Sequence, residues 1–111
     1  MKEINFKKST PKGLVSGILR IINKDLFFKY NDTNYSKQII KNFRDKGVDI
    51  EEGKGWIKVN LLGKNEVIKL GEIEIDKEEP NETIEKKLFD FYLNQYKIMG
   101  FLVQEKDEES N

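Results

Sequence analysis

The stretch that decides the fold runs from Asp32 to Val59 and reads DTNYSKQIIKNFRDKGVDIEEGKGWIKV. Asp32 is a favourable helix N-cap, and apolar side chains then recur at spacings of three and four residues. Gly47 suits the left-handed position that follows a helix C-terminus. The Gly-Lys-Gly of residues 53–55 interrupts an alternating pattern, as a tight turn between two strands does. The pattern predicts a helix over 33–46 followed by a β-hairpin.

The chain on either side of this stretch divides into further short elements. Alternation over residues 2–7 and aromatic side chains over 26–30 predict two short strands. Thr10-Pro11 favours a helix start, and the apolar residues that follow predict a first helix over about 10–24. Alternating segments separated by glycine turns predict a three-stranded antiparallel meander over 48–76.

The C-terminal part completes the predicted architecture. An acidic start and a wide apolar arc predict a last helix over about 82–99. We therefore expect an α+β fold in which three helices pack on a small antiparallel sheet. A chain of 111 residues suits a single domain, which we place at residues 1–103. Residues 104–111 are mostly charged, and we expect them to form a disordered acidic tail.

The composition excludes several kinds of chemistry. Cysteine and histidine are absent, so the chain has no thiolate or imidazole metal ligand, no cysteine nucleophile and no histidine acid or base. Because no nucleophile–base pair or phosphate-binding loop is visible, we expect neither enzymatic activity nor a cofactor. The lack of cysteine suits a cytoplasmic protein. No apolar run is long enough to span a bilayer, so we expect no membrane partner.

Residue usage and charge distribution hint at the source and the partner. Lysine outnumbers arginine eighteen to two and alanine is absent, a codon bias expected of a low-GC bacterium or of a phage or mobile element within one. Residues 1–47 hold eleven basic and four acidic side chains, whereas residues 48–111 hold nine and sixteen. This asymmetry indicates either a face for an anionic partner or two halves of the molecule that attract each other.

Three features of the opening stretch form a recognisable motif. They are the helix end over residues 40–47, the Val-Asp-Ile of residues 48–50 and the Gly-Lys-Gly-Trp of residues 53–56. Together they resemble part of a winged helix-turn-helix of the biotin-repressor type, in which the helix reads DNA and the glycine loop is the tip of the wing. The resemblance implies that six polar residues contact bases or phosphates. They are Thr33, Asn34, Lys37, Lys41, Arg44 and Lys54.

The resemblance departs from the family before the predicted recognition helix. Only residues 25–31 separate the predicted helices 10–24 and 33–46, which is too short for both a strand and the middle helix of the motif. The alternative interpretation is a helix followed by a hairpin in an ordinary α+β fold, with the glycines serving turn geometry.

The last predicted helix supplies a different candidate surface. Its apolar arc is wider than packing on one sheet face requires, because Phe89, Leu93 and Tyr96 form a second stripe. Aromatic side chains are enriched at interface hot spots. These three residues are therefore candidate anchors for a protein partner, or for a second copy of the chain through residues 84–99. Alternatively, the helix packs between the sheet and the first helix and buries both stripes.

Two further patterns suggest ion sites. Glu72, Glu74 and Asp76 alternate along a predicted strand, where they could hold a divalent cation or simply form its solvated face. Residues 9–13 open the first predicted helix, whose N-terminus could bind a phosphate.

Taken together, these features favour a small non-enzymatic regulatory binding protein. The main hypothesis is that it binds and blocks a host protein, such as a nucleic-acid-processing or defence complex. The alternative is a winged-helix-like DNA-binding transcriptional regulator. The first hypothesis predicts that Phe89 and Tyr96 are exposed to solvent in the isolated molecule.

Overall fold

A computed structural model describes residues 1–107, which form eight strands and two helices. The strands are β1 (Lys2–Thr10), β2 (Gly13–Ile22), β3 (Asp25–Tyr30), β4 (Asp49–Glu52), β5 (Ile57–Asn60), β6 (Val67–Leu70), β7 (Ile73–Asp76) and β8 (Leu102–Asp107). The helices are α1 (Thr33–Asp45), between β3 and β4, and α2 (Asn81–Ile98), between β7 and β8.

Six of the strands form one antiparallel sheet in the order β4-β5-β3-β2-β1-β8. The two remaining strands, β6 and β7, form a separate two-stranded sheet. In the large sheet Gly17 of β2 lies opposite both Phe6 of β1 and Tyr30 of β3. These three residues therefore lie in one line across the sheet.

Both helices pack on the same face of the large sheet. Phe6 stacks on Tyr96 of α2 with ring centroids 4.1 Å apart, and Phe28 contacts Phe43 of α1 at 6.0 Å. Successive strand residues point to opposite faces, so the register places Phe6 and Phe28 on one side and their sequence neighbours on the other. Ile75 of β7 belongs to the same buried cluster, which puts the small sheet on the helix side as well.

The prediction of a first helix over 10–24 is wrong, because β2 occupies this part of the chain. The Thr10 hydroxyl oxygen accepts a hydrogen bond from the backbone N–H of Lys12 at 3.2 Å and donates one to the Gly13 carbonyl at 2.8 Å. Thr10 thus closes a two-residue turn. A side chain that accepts from a backbone N–H two residues on serves a turn as readily as a helix N-cap. The predicted helix N-terminus for a phosphate is therefore absent at residues 9–13.

The side chains of β2 also explain why its pattern resembled a helix. Apolar residues occupy both faces of the strand, so their positions match helical spacings of three and four as well as strand alternation. The glycines of β2 disfavour a helix, and its β-branched residues favour an extended chain once β1 and β3 provide hydrogen bonds on both sides. The predicted three-helix architecture is therefore corrected to two helices on a six-stranded sheet.

The prediction of a three-stranded meander over 48–76 is wrong in its third strand. β4 and β5 form the expected hairpin, in which the Gly53 N–H donates to the Trp56 carbonyl at 2.8 Å. Gly71, with φ of 61°, turns the following chain back on itself, so that β6 pairs with β7 rather than with β5. The free side of β5 pairs with β3 instead, which places β5 inside the large sheet.

The two helices of the structure begin and end close to where the sequence places them. The Asp32 carboxylate caps α1 by accepting from the N–H groups of Asn34 and Tyr35 at 2.8 and 3.1 Å. Gly47 follows α1 and Gly100 follows α2, both with positive φ. Neither helix within the described residues is long and apolar enough to cross a membrane.

The predicted domain boundary at residue 103 falls inside β8. Residues 104–107 of the expected tail belong to β8, which pairs with β1 along its length. The rest of that prediction, residues 108–111, lies outside the described part of the chain.

Candidate functional site

The stripe of α2 that the sequence suggested as a partner surface is largely buried. Phe89 is 6% exposed and Tyr96 is 4% exposed, and Leu93 is half-buried. The prediction that Phe89 and Tyr96 are exposed is therefore wrong. A contact with a partner or a second copy through residues 84–99 would lack these two anchors. The physical reason is that α2 packs between the large sheet and the β6–β7 hairpin and buries both stripes.

The residues expected to contact DNA are all exposed. Five lie on α1 and Lys54 lies in the β4–β5 turn. Two of the cations are neutralised, because Lys41 pairs with Asp45 at 2.7 Å and Arg44 pairs with Glu52 at 3.2 Å. The chain before α1 forms three strands, so no described helix precedes it as in a helix-turn-helix. The exposed set is Thr33, Asn34, Lys37, Lys41, Arg44 and Lys54. Their contact with DNA stays a prediction.

The candidate cation ligands do not converge. Glu72 lies in the β6–β7 turn, and Glu74 and Asp76 lie in β7. Within residues 1–107 no three acidic side chains are close enough together to hold a metal ion.

Reasoning from the sequence missed the sheet face that lies opposite the helices, which we call the open face. Strand pairing arranges its side chains in rows that run across the strands. The first row consists of Lys106, Glu3, Arg20, Phe27, Lys58 and Glu51. The second row consists of Gln104, Asn5, Ile18 and Lys29, and the third consists of Leu102, Lys7 and Ser16.

Two cations of the first row, Arg20 and Lys58, lie close to acids. Arg20 Nε donates to a Glu3 carboxylate oxygen at 2.6 Å, and Glu3 is 6% exposed. Lys58 lies 3.8 Å from Asp25 and 3.9 Å from Glu51. The cations of this row are thus largely compensated by neighbouring acids.

Glu3 has a perturbed pKa for identifiable reasons. Burial alone would raise its pKa, but hydrogen bonds from Arg20 and Asn5, together with the charges of Arg20 and Lys106, outweigh burial and lower it below 4.5. A carboxylate whose pKa is lowered by folding stabilises the protein above its unfolded pKa, and that contribution is lost as the pH falls through the folded pKa.

Replacing Glu3 with glutamine is expected to lower the free energy of unfolding at neutral pH by about 1–2 kcal/mol, because the ion pair with Arg20 is replaced by a weaker hydrogen bond to an uncharged amide. The difference from wild type should shrink below pH 4.5, where wild-type Glu3 also becomes protonated. Urea denaturation at a series of pH values measures this difference. An unchanged difference down to about pH 3 would contradict the assignment.

The second and third rows differ from the first in holding no acid. They surround a concave region of about 420 Å³, which we call the saddle. Its floor is the backbone line that runs through Gly17. Lys7 and Lys29 are exposed at the saddle, and neither forms an ion pair with a described residue. The side chains around it are those of Asn5, Lys7, Ser16, Ile18, Lys29, Asn31, Leu102 and Gln104.

An aromatic side chain borders the saddle on the β5 side. Trp56 is half-exposed, with the Arg20 guanidinium 4.7 Å and the Lys29 ammonium 5.8 Å from its ring centroid. Cations at this distance are attracted by the negative face of the indole. The open face therefore combines uncompensated positive charge, amide groups and a flat aromatic surface, which suits an anionic ligand with planar groups.

The sequence did contain a signal for this surface. Aromatic or apolar residues alternate with cations at positions 27 and 29, 56 and 58, and 18 and 20. These pairs share one face only when β2 is recognised as a strand beside β3, which the helix prediction prevented. Comparison of the chain with protein-family models, with curated proteins and with solved structures finds no match.

Proposed function

We propose that this is a non-enzymatic binding protein of the cytoplasm that holds single-stranded nucleic acid on its open face. The observation that carries the proposal is the acid-free saddle beside Trp56, where Lys7 and Lys29 lack ion-pair partners within the described chain. Proteins that bind single strands combine cations for the phosphates with aromatic surfaces for the bases.

The geometry of a sheet favours this kind of ligand. An open sheet face is wide and flat enough for several unpaired bases to spread over it, as occurs in common RNA-binding domains. Trp56 offers an indole for base stacking, and the adjacent Arg20 can stack as well because its guanidinium is planar. The amides of Asn5 and Gln104 line the saddle and provide both donors and acceptors for base edges.

Duplex binding through α1 receives less support from the charges. Of the four cations on that surface, Lys41 and Arg44 are already paired with acids, whereas both cations of the saddle lack ion pairs with described residues. The hypothesis that the chain blocks a host protein also receives less support. It depended on Phe89 and Tyr96 as exposed aromatic anchors, and both are buried. Both remain distinguishable outcomes of the experiment below.

The test is a fluorescence titration with a labelled oligothymidylate and a labelled oligouridylate. The chain has a single tryptophan, so quenching of its emission reports directly on stacking at Trp56. We expect binding to weaken with salt, with a slope of log K against log salt of about −1.4, since Lys7 and Lys29 together release counterions from about two phosphates. Trp56→Ala should weaken binding roughly tenfold or more.

Matched charge reversals give the control. Lys7→Glu with Lys29→Glu should abolish binding, whereas Lys64→Glu with Lys69→Glu makes the same change in net charge away from the open face and should leave most of the affinity. Equal effects of the two double variants would contradict the proposal. Preference for duplex, lost on Lys37→Glu with Lys41→Glu, would identify α1 as the site instead. No salt-sensitive binding to any nucleic acid would overturn both versions and leave a protein partner.

A further inference from the structure

A second cavity lies between α1 and α2, on the opposite side of the large sheet from the saddle. Its volume is about 320 Å³, which falls within the range of small-molecule sites. Seven aromatic side chains line it, including all four tyrosines of the chain: Tyr30, Tyr35, Tyr92 and Tyr96. Ligand sites are typically preformed, mostly apolar concavities with a few polar groups, so an aromatic-walled cavity of this size is a candidate binding site.

The aromatic walls hold one another in place. The rings of Tyr30 and Tyr35 are 5.0 Å apart, and the ring of Tyr92 lies 5.9 Å from Phe28 and 5.1 Å from Phe91. These contacts link β3 to both helices. A ligand that enters the cavity therefore meets walls that are already ordered, which reduces the entropic cost of binding.

Every polar side chain around the cavity can donate a hydrogen bond. The donors comprise the tyrosine hydroxyls, the amides of Asn42 and Gln95, and the ammonium group of Lys46. None of the described residues that line the cavity is acidic, and Lys46 forms no ion pair with a described residue. Burial raises the pKa of Tyr30, Tyr92 and Tyr96, so these hydroxyls keep their protons and can donate.

The hydroxyls of Tyr30 and Tyr96 have little competition for their hydrogen bonds. Their oxygens lie 3.4 Å apart, a long contact in which only one of the two can donate. The other hydroxyl proton is therefore free to reach a ligand, and an acceptor in the cavity would satisfy it.

We propose that this cavity binds a small aromatic carboxylate. The aromatic body would pack among the rings, and the carboxylate would accept hydrogen bonds from Lys46 and from the tyrosine hydroxyls. Arginine and lysine bonds to carboxylates are about twice as strong as bonds between neutral groups, so charge is expected to contribute to selectivity. This inference rests on the cavity alone and is independent of the proposed nucleic-acid binding.

The test uses 2-naphthoate as the probe, with the neutral 2-naphthalenemethanol and the cationic 2-naphthylmethylamine as matched ligands. Isothermal titration should give a dissociation constant for naphthoate on the order of 100 μM. The alcohol and the amine should bind about tenfold more weakly or not at all. Nuclear Overhauser effects between the naphthoate ring protons and the Tyr35 or Tyr92 rings should locate the ligand.

Two variants complete the design. Lys46→Gln should abolish the preference for naphthoate over the alcohol, whereas Lys37→Gln, an exposed position of α1 that does not line the cavity, should leave it unchanged. Ile39→Trp should fill the cavity and prevent binding, with circular dichroism confirming that the variant is folded. Absence of naphthoate binding to the wild type would overturn the proposal. So would equal affinity for acid and alcohol, or contacts that map to the saddle.

Discussion

Phe6→Ala is expected to lower the free energy of unfolding by about 3–5 kcal/mol, the usual cost of truncating a buried phenylalanine. Phe6 is 2% exposed and joins β1 to three other parts of the molecule. Its ring stacks on Tyr96 at 4.1 Å and contacts Phe101 and Tyr30, each at 5.6 Å. Truncation removes these contacts together and leaves a cavity at the centre of the interface between the sheet and α2.

Urea denaturation of both proteins measures this loss. Tyr96→Phe is the matched control, because it keeps the stacked ring and removes only the hydroxyl, whose contact with Tyr30 is long at 3.4 Å. The control should change the free energy of unfolding by no more than about 1 kcal/mol. A similar loss in both variants would show that the hydroxyl contact, rather than ring packing, holds α2 on the sheet.

Gly17→Ala is expected to lower the free energy of unfolding by about 1–3 kcal/mol through overpacking. A Cβ atom at this position would lie 2.5 Å from the Cζ atom of Phe6 and would also collide with the Lys29 carbonyl oxygen. The Phe6 ring is held by its neighbours, and the Lys29 carbonyl belongs to the backbone of β3, so neither can move without opening the sheet. The midpoint of thermal unfolding should fall by about 4 °C for each kcal/mol lost.

A second glycine provides the comparison for Gly17→Ala. A Cβ atom on Gly53 would meet only the Trp56 carbonyl oxygen at 3.4 Å, so Gly53→Ala should change stability by no more than about 0.5 kcal/mol. Combining Gly17→Ala with Phe6→Leu should cost less than the sum of the single changes, because leucine does not reach the Cζ position. Strict additivity would contradict a direct clash between the two side chains.

The candidate site was harder to predict than the helices because its parts are distant in the sequence. The saddle brings together residues from β1, β2, β3 and β8, and Trp56 joins it from the segment before β5. No one of these segments, taken alone, indicates which other segments lie beside it. The six residues suggested by the winged-helix resemblance, by contrast, lie within residues 33–54, so they could be named without knowledge of the fold.

The predicted partner surface on α2 also could not be interpreted from the sequence alone. The apolar arc of α2 is visible in the sequence, but its meaning depends on what lies against it. Phe89 and Tyr96 became core residues because the large sheet and the β6–β7 hairpin together cover more of α2 than one sheet face would. The width of an apolar arc therefore indicates how much of a helix is covered, without distinguishing a partner from the remainder of the same chain.

The sequence by itself determined the two helices and their approximate ends, since the Asp32 cap of α1 and the glycines that follow both helices act within a few residues. The Asp32 carboxylate caps α1 by accepting hydrogen bonds from the backbone N–H groups of Asn34 and Tyr35, and Gly47 supplies the positive φ that follows the helix. Only the tertiary structure decided that residues 13–22 form a strand rather than a helix, that β5 pairs with β3 and that Phe89 is buried. A strand obtains its hydrogen bonds from other strands, so residues 13–22 become β2 because β1 and β3 lie on either side of them.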